Sequence, residues 1–320
     1  VMNAQGYFAL FSQLQKESLR NDRYRVTPAQ KKQLDQVVEK LEELYPQSFE
    51  YHYASYLNAR HDTAAGFHLL EAHRLAPLRT ELYNDLASHY ELKGDQRKKL
   101  EYCRLLEQHK VYDPMLYQYA RNLFGSLENG AILFTQGEWD THPLWVLQHN
   151  RRIRTDVTIL QLDLLHQEHY FNRMTVPLKL KKGAYQRFLN DKPAFFREVA
   201  ASKTSRPVYL SLTIDQKVIG ALGNILYTTG LAMKLSAKPF DNVPTLQSNW
   251  KSFDISSLTT RSSNPDLNRM NGNYILPMGV LYRQARATGN NAEAERLKQQ
   301  MLILAGNAGK KKEMETFFKE

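Results

Sequence analysis

The stretch "GAILFTQGEWDTHPLWVLQHNRRIRTDVTILQLDLL", Gly130 to Leu165, sets two apolar runs on either side of an acidic loop and a helix-forming segment. "AILFT" follows a stop-and-turn signal at Glu128–Gly130 and is short, continuous and apolar, the pattern of a buried strand. "PLWVLQHNRRI" reads as a helix begun by Pro143 and capped by Thr141. "TDVTILQLDLL" reads as a second strand. A strand, a crossover helix and a strand form one unit whose strands must run parallel.

Downstream, "RPVYLSLTI" (Arg206–Ile214) predicts a third strand and "LAMKLSA" (Leu231–Ala237) a fourth. Between them "IGALGNILYTTG" looks helical or irregular, and "KPAFFREVAA" predicts a helix. These elements predict a small, mainly parallel α/β domain over residues 129–250.

Upstream, helical periodicity takes over. Tyr7, Leu10, Phe11, Leu14 and Leu19 form one stripe. The next helix starts at Thr27 as N-cap with Pro28 behind it, carries Leu34, Val37, Val38, Leu41 and Leu44, and is stopped by Pro46. Two paired segments follow. "FEYHYASYLNARHDTAAGFHLLEAHRLAP" places Ala54, a turn at His61–Asp62, Ala65, Leu69, Ala72 and Pro77. "ELYNDLASHYELKGDQRKKLEYCRLLEQHKVYDP" repeats the plan with Leu86, Ala87, Tyr90, a Gly94–Asp95 turn, Leu100, Cys103, Leu106 and Pro114. These spacings resemble degenerate tetratricopeptide repeats, with "DPMLYQYARNLFGSL" as a third half-repeat. The resemblance implies a helical arm over residues 1–128 with a broad concave surface. Its tyrosines are numerous. Tyr53, Tyr56, Tyr83, Tyr90 and Tyr117 read as core residues at helical spacing or, since tyrosine is favoured at interfaces, as partner-binding residues.

At the other end, residues 251–272 are polar and rich in Ser and Asn, a loop-rich connection with short structured pieces. Residues 273–320 predict a helical hairpin around Gly289–Asn290, with Leu281, Tyr282 and Ala285 facing Ala294, Leu297 and Met301, then a charged amphipathic end. The fold class expected is therefore α+β: a helical repeat arm, a small α/β domain and a C-terminal helical hairpin.

Composition narrows the function. Forty-three Lys and Arg against 33 Asp and Glu give a net charge of +10. The basic residues are scattered, and the densest runs, Arg97–Lys99, Leu178–Lys182 and Gly309–Glu315, are not interleaved with stacking aromatics, which argues against nucleic acid. The single cysteine, Cys103, makes no internal disulfide and no zinc pattern, and reads as core filler. No apolar run approaches the length of a membrane span. The chain begins with Val1, read as a mature or trimmed product whose targeting segment is removed or not included.

The opening stretch also resembles the soluble C-terminal region of a bacterial membrane-protein family described as protein-O-mannosyltransferase-like. Its pattern is a strand, a G-D-N-D-T-aromatic-P-L-W loop, then R-x-D-V and a second strand. "RPVYLSLTI" and "YTTGLAMKLSAKP" are similar to that family's later strands in the same order, so the resemblance spans residues 128 to 305. Glu138 and Trp139 stand where the family has Asp and Asn, His142 replaces an aromatic, and the multi-span membrane part is absent from this sequence. The resemblance implies a shared soluble fold and periplasmic exposure, and transfers no activity.

Glu138, Asp140 and His142 follow the first strand, where ligands of parallel sheets bind, and could form a carboxylate–histidine site. Asp163 and His166 end the second strand. Against this, Asp140 and Thr141 are good helix caps, Trp139 and Trp145 are packing anchors, and no nucleotide-loop, zinc-protease or nucleophile-elbow motif occurs. Sequence reasoning therefore favours a non-catalytic periplasmic scaffold or adaptor. It would bind a protein partner of the cell envelope, such as an outer-membrane secretion channel, with no cofactor and no metal. The alternative is a glycan-related module using Glu138, Asp140 and His142.

Overall fold

The structure, a computed structural model, describes residues 2–19, 26–60 and 64–319, with residues 18 and 19 as backbone. The turn expected at His61–Asp62 and the side chain of Leu19 lie outside the described residues. The α+β class is observed. The chain divides into two compact units, Val1–His109 and Lys110–Glu320.

The first unit is helical: α1 (Ala4–Leu19), α2 (Pro28–Leu44), α3 (Phe49–Asn58), α4 (Ala65–Leu75), α5 (Tyr83–Lys93) and α6 (Gln96–Gln108). Helix α2 starts as read: Thr27 accepts from the Gln30 amide, Gln30 reaches back to the Thr27 amide, and Pro28 opens the first turn. Phe11, Leu34, Val37, Leu41 and Ala54 form the core joining α1, α2 and α3. Helices α3 and α4 pair, as do α5 and α6. Ala54, Ala65, Ala72 and Ala87 are buried, and such small residues let paired helices approach. Cys103 is buried in the α5–α6 hairpin, and burial pushes its thiol up to about 12.

The second unit contains α7 (Pro114–Gly125), β1 (Ile132–Thr135), α8 (Glu138–Arg151), β2 (Thr158–Gln161), α9 (Glu168–Met174), α10 (Ala184–Asn190), α11 (Lys192–Ala201), β3 (Val208–Ser211), α12 (Gln216–Ala221), β4 (Leu226–Thr228), β5 (Ala232–Leu235), α13 (Val243–Lys251), α14 (Pro265–Asn271), α15 (Ile275–Ala287), α16 (Asn291–Asn307) and α17 (Lys311–Phe317). The strand order is β2-β1-β3-β5-β4. The β1–α8–β2 unit is present, with Ile132 opposite Thr158 in parallel register.

Three features differ from the sequence reading. The sheet is evenly mixed rather than mainly parallel: β1 pairs parallel with β2 and β3, while β5 pairs antiparallel with β3 and β4. Strand β4 lies in the segment read as helical or irregular, and it joins β5 through a short connection that only antiparallel strands permit. Finally, α7, read as a half-repeat, packs against α8. Its Asn122 donates to the Asp254 carbonyl and the Tyr274 hydroxyl at 2.7 Å each, which pins the polar connection after α13.

One side of β1 packs on Phe195 and Phe196 of α11, both edge-on to Phe134. Phe171 and Phe188 extend this cluster. The C-terminal hairpin forms from α15 and α16, with Leu281, Ala285, Ala294, Leu297 and Met301 buried.

Two arginines close the sheet at the start of its parallel strands. Arg154 donates to the carbonyls of Phe124, Leu127 and Glu128 and pairs with Asp156 at 3.0 Å. Asp156 in turn accepts from the Gly130 amide at 2.8 Å, and the Arg154 guanidinium holds its carboxyl down at about 2. Arg206 donates to the carbonyls of Gly130, Ala131 and Asp156, bridging the entries to β1, β2 and β3. Arg154, Asp156 and Arg206 belong to the R-x-D-V and R-P-V stretches singled out above, and here they act as a clasp for backbone.

Candidate functional site

The chain leaves β1 through Thr135 and Gln136 and turns at Gly137, whose φ of +86° suits glycine. Helix α8 then begins at Glu138, five residues before Pro143. The expected start at Pro143 is therefore corrected. The turn at Gly137 lets the helix begin directly, without a side-chain cap, and the Asp140 carboxylate accepts the Gln136 amide at 3.2 Å, tying the first turn of the helix back to the end of β1. Thr141 is inside the helix, donating to the Gly137 carbonyl at 2.7 Å and lying 2.8 Å from the Thr135 hydroxyl. Pro143 sits within the helix at the cost of one backbone donor.

This start redistributes the acidic cluster. Glu138 and His142 stand four apart on one side of the helix, while Asp140, two residues from each, points to another side. Glu138 is partly exposed. Asp140 is 2 % exposed and turned toward the end of β3. Its Oδ2 accepts from the Ser211 hydroxyl at 2.6 Å and the Thr213 hydroxyl at 2.5 Å. His142 is buried elsewhere, its Nδ1 3.0 Å from the Tyr112 hydroxyl and its ring tilted against Trp145 at 5.0 Å. Asp163 precedes a short 3-10 turn. The His166 ring packs on Phe188. Among the described residues no group of three or more His, Cys, Asp or Glu side chains could hold a metal ion.

The site that does form is a polar knot of buried Asp140 and Ser211 with half-buried Thr213 and Gln136, whose Oε1 accepts the Asp215 amide at 3.0 Å. It locks the β1–α8 turn to the loop after β3. Oδ1 of Asp140 has no hydrogen-bond partner among the described residues. The expectation that Asp140 and Thr141 cap the helix is not met, since both stand inside α8 and Gly137 holds the N-cap position. That reading also missed Ser211 and Thr213, which stand more than seventy residues away and carry no local signal beyond sitting at a strand end.

Burial pushes the Asp140 carboxyl up to about 6, against the opposing hydrogen bonds from Ser211 and Thr213. The folded state therefore holds a proton that the unfolded state has released at its ordinary 3.8. This contribution to stability is complete below about pH 4 and is lost as pH rises through about 6. At most it amounts to roughly 3 kcal/mol, on about 1.4 kcal/mol per unit. In urea titrations from pH 4 to pH 7 the wild type should lose stability relative to Asp140→Asn as pH rises, by up to this amount. A constant difference would contradict a buried, proton-holding Asp140.

The five tyrosines considered for partner binding are all buried. Tyr53 and Tyr56 donate to the Asp85 carboxylate at 2.9 and 3.1 Å, where Arg60 also pairs at 3.1 Å, tying α3 to α5. Tyr90 stacks on Tyr102 at 5.6 Å, and Tyr83 tilts against the same ring. Tyr117 meets Tyr112 edge-on and lies under Arg151. These placements make them packing residues of their own units.

Comparison with known proteins gives one finding. A family model described as TMEM260-associated domain 2 matches residues 116–186. That segment runs from α7 through β1, α8 and β2 into α10 and contains Asp140, His142, Arg154 and Asp156. Comparisons with curated proteins and with solved structures returned no match. No helix among the described residues is long and apolar enough to cross a membrane.

Proposed function

We propose that this chain is a non-catalytic scaffold or adaptor that binds a protein partner through its first unit. One observation carries the reading: α4 presents apolar side chains away from its own core. Ala65, Leu69 and Ala72 are buried, while Phe67 is 62 % exposed on the opposite side of the helix at roughly 100° per residue. Leu70 shares that exposed side, Leu75 is exposed at the helix end, and Leu78 just beyond is 85 % exposed. Several large apolar side chains left exposed along one helix and the turn after it, on a well-packed body, mark an interaction surface. The buried placement of Asp140 and His142 supports the same reading, since neither side chain is open to a substrate.

The tetratricopeptide character of the paired helices and the resemblance to the bacterial protein-O-mannosyltransferase-like family are part of this proposal, as are a periplasmic setting and a partner in an envelope secretion or assembly machine. A photo-cross-linking residue at position 67 or 78, introduced in native envelope, should capture one discrete partner. Phe67→Ser with Leu78→Ser should abolish capture from a neighbouring position while leaving the melting temperature unchanged. Retained capture in that variant would defeat the proposal.

A second reading is a glycan-related module centred on Asp140. The observation favouring it is the Asp140 Oδ1, buried without a hydrogen-bond partner among the described residues, inside the segment matched by the family model. Asp140→Asn separates the two. Loss of a glycan modification with folding and partner capture intact would favour the module, whereas unchanged glycans and unchanged capture would support the adaptor.

A further inference from the structure

The second unit contains an open groove of about 400 Å³, at the low end of the range for small-molecule sites. Its floor is Leu212, just after β3, and Met233 of β5, with Ile219 of α12 beside them. Its walls are Leu276 of α15, Met301 of α16 and Phe317 of α17. Its lining is distinct from the polar knot: Ser211 and Thr213 hold Asp140, while Leu212 between them lines the groove.

Two cations stand on the same lining. Arg283 lies over the Phe317 ring at 5.0 Å, and Lys310 precedes α17. Among the described residues neither has a carboxylate partner, and one acid, Glu313, shares the lining with them. The mouth is thus net positive, while the interior offers aliphatic, thioether and aromatic carbon. Helix α17, which forms one wall, has no buried residue, so it can shift without unpacking a core.

We propose that this groove binds a single-chain anionic amphiphile: an unbranched acyl chain along Leu212, Met233 and Met301, with its carboxylate at Arg283 and Lys310. The chemistry follows from the lining. Flexible methionines suit a flexible chain, and seating it removes the chain's own apolar area from water, with the exposed Leu276 as the protein's share. The unpaired cations supply charge-assisted hydrogen bonds for a head group. A space worth roughly 13 waters of bulk liquid suits one medium-length chain. It is too small for a peptide helix, which needs a groove several times longer.

The test is titration calorimetry of the full chain with dodecanoate, held below its micelle concentration. Saturable one-to-one binding is expected. Dodecanol, which has the chain without the charge, should bind about tenfold more weakly. Acetate and inorganic phosphate, which have charge without the chain, should not bind. Arg283→Gln combined with Lys310→Gln should weaken dodecanoate about tenfold and leave dodecanol unchanged. Leu276 is 45 % exposed, so Leu276→Glu should fold normally and abolish dodecanoate binding by placing a like charge on the wall. Melting temperatures confirm that both variants fold. The proposal is overturned by absence of saturable binding, by equal affinity for dodecanol, or by unchanged dodecanoate affinity in the folded double variant.

Discussion

Gly230→Ala is expected to destabilise the second unit by about 4 kcal/mol, combining overpacking with backbone strain. Gly230 has a φ of +149°, and a methyl group there would stand 2.3 Å from Ser126 Oγ and 2.7 Å from the Phe253 ring. The close approach exists because the turn between β4 and β5 is threaded by hydrogen bonds to the end of α7. The Leu231 amide donates to Ser126 Oγ at 2.8 Å, and the Thr229 hydroxyl donates to the Ser126 carbonyl at 2.9 Å. Asn249 of α13 holds the Thr229 carbonyl at 2.8 Å. Relief cannot come from a flexible side chain, since Ser126 is itself buried and engaged. Urea unfolding followed by tryptophan fluorescence would measure the loss. Adding Ser126→Gly should recover part of it, because removing Oγ and Cβ opens the space the methyl group needs. A loss below about 1 kcal/mol would mean that the turn has room the structure does not show.

Lys99→Met should cost the first unit on the order of 3–5 kcal/mol, the range for removing one member of a buried ion pair. Lys99 Nζ and Glu91 Oε2 lie 2.7 Å apart, and both side chains are 5 % exposed. The single variant leaves a carboxylate in a site built for its cation. Lys99→Met with Glu91→Leu should return most of the loss, since a buried pair replaced by apolar residues of similar size is often neutral. The pair joins α5 to α6 across the Gly94–Asp95 turn. A double variant as unstable as the single one would show that the pair sustains hairpin geometry rather than merely satisfying itself. Thermal unfolding of the three proteins is sufficient to distinguish these results.

These predictions rest on contacts of different reach, and reach governs what could be read in advance. The capping of α2 by Thr27 and Gln30 was legible because cap and capped amide are three residues apart. The β1–α8–β2 unit was legible because a strand, helix and strand so closely connected leave one pairing sense. The C-terminal hairpin was legible for the same local reason: Leu281 and Ala285 repeat at helical spacing around the Gly289 turn. The start of α8 was not. Pro143 and Thr141 are both strong local signals, and both were overridden by the turn at Gly137, with Asp140 holding the Gln136 amide from inside the first turn. The candidate cluster was legible only in part: Glu138 and His142, four apart, share a helix face, while Asp140 between them turns to Ser211 and Thr213 across more than seventy residues.

The amino-acid sequence by itself determined the α+β class, the helical pairs of the first unit and the parallel first three strands. Each follows from periodicity, caps and connection length within a few tens of residues. Only the tertiary structure decided that β4 and β5 close the sheet antiparallel, that Asp140 answers to Ser211 and Thr213, that the tyrosines point inward, and that an apolar groove lies under Arg283 and Lys310. Those outcomes depend on which distant surfaces meet, and a side chain's burial is set by its partners across space rather than by its neighbours along the chain.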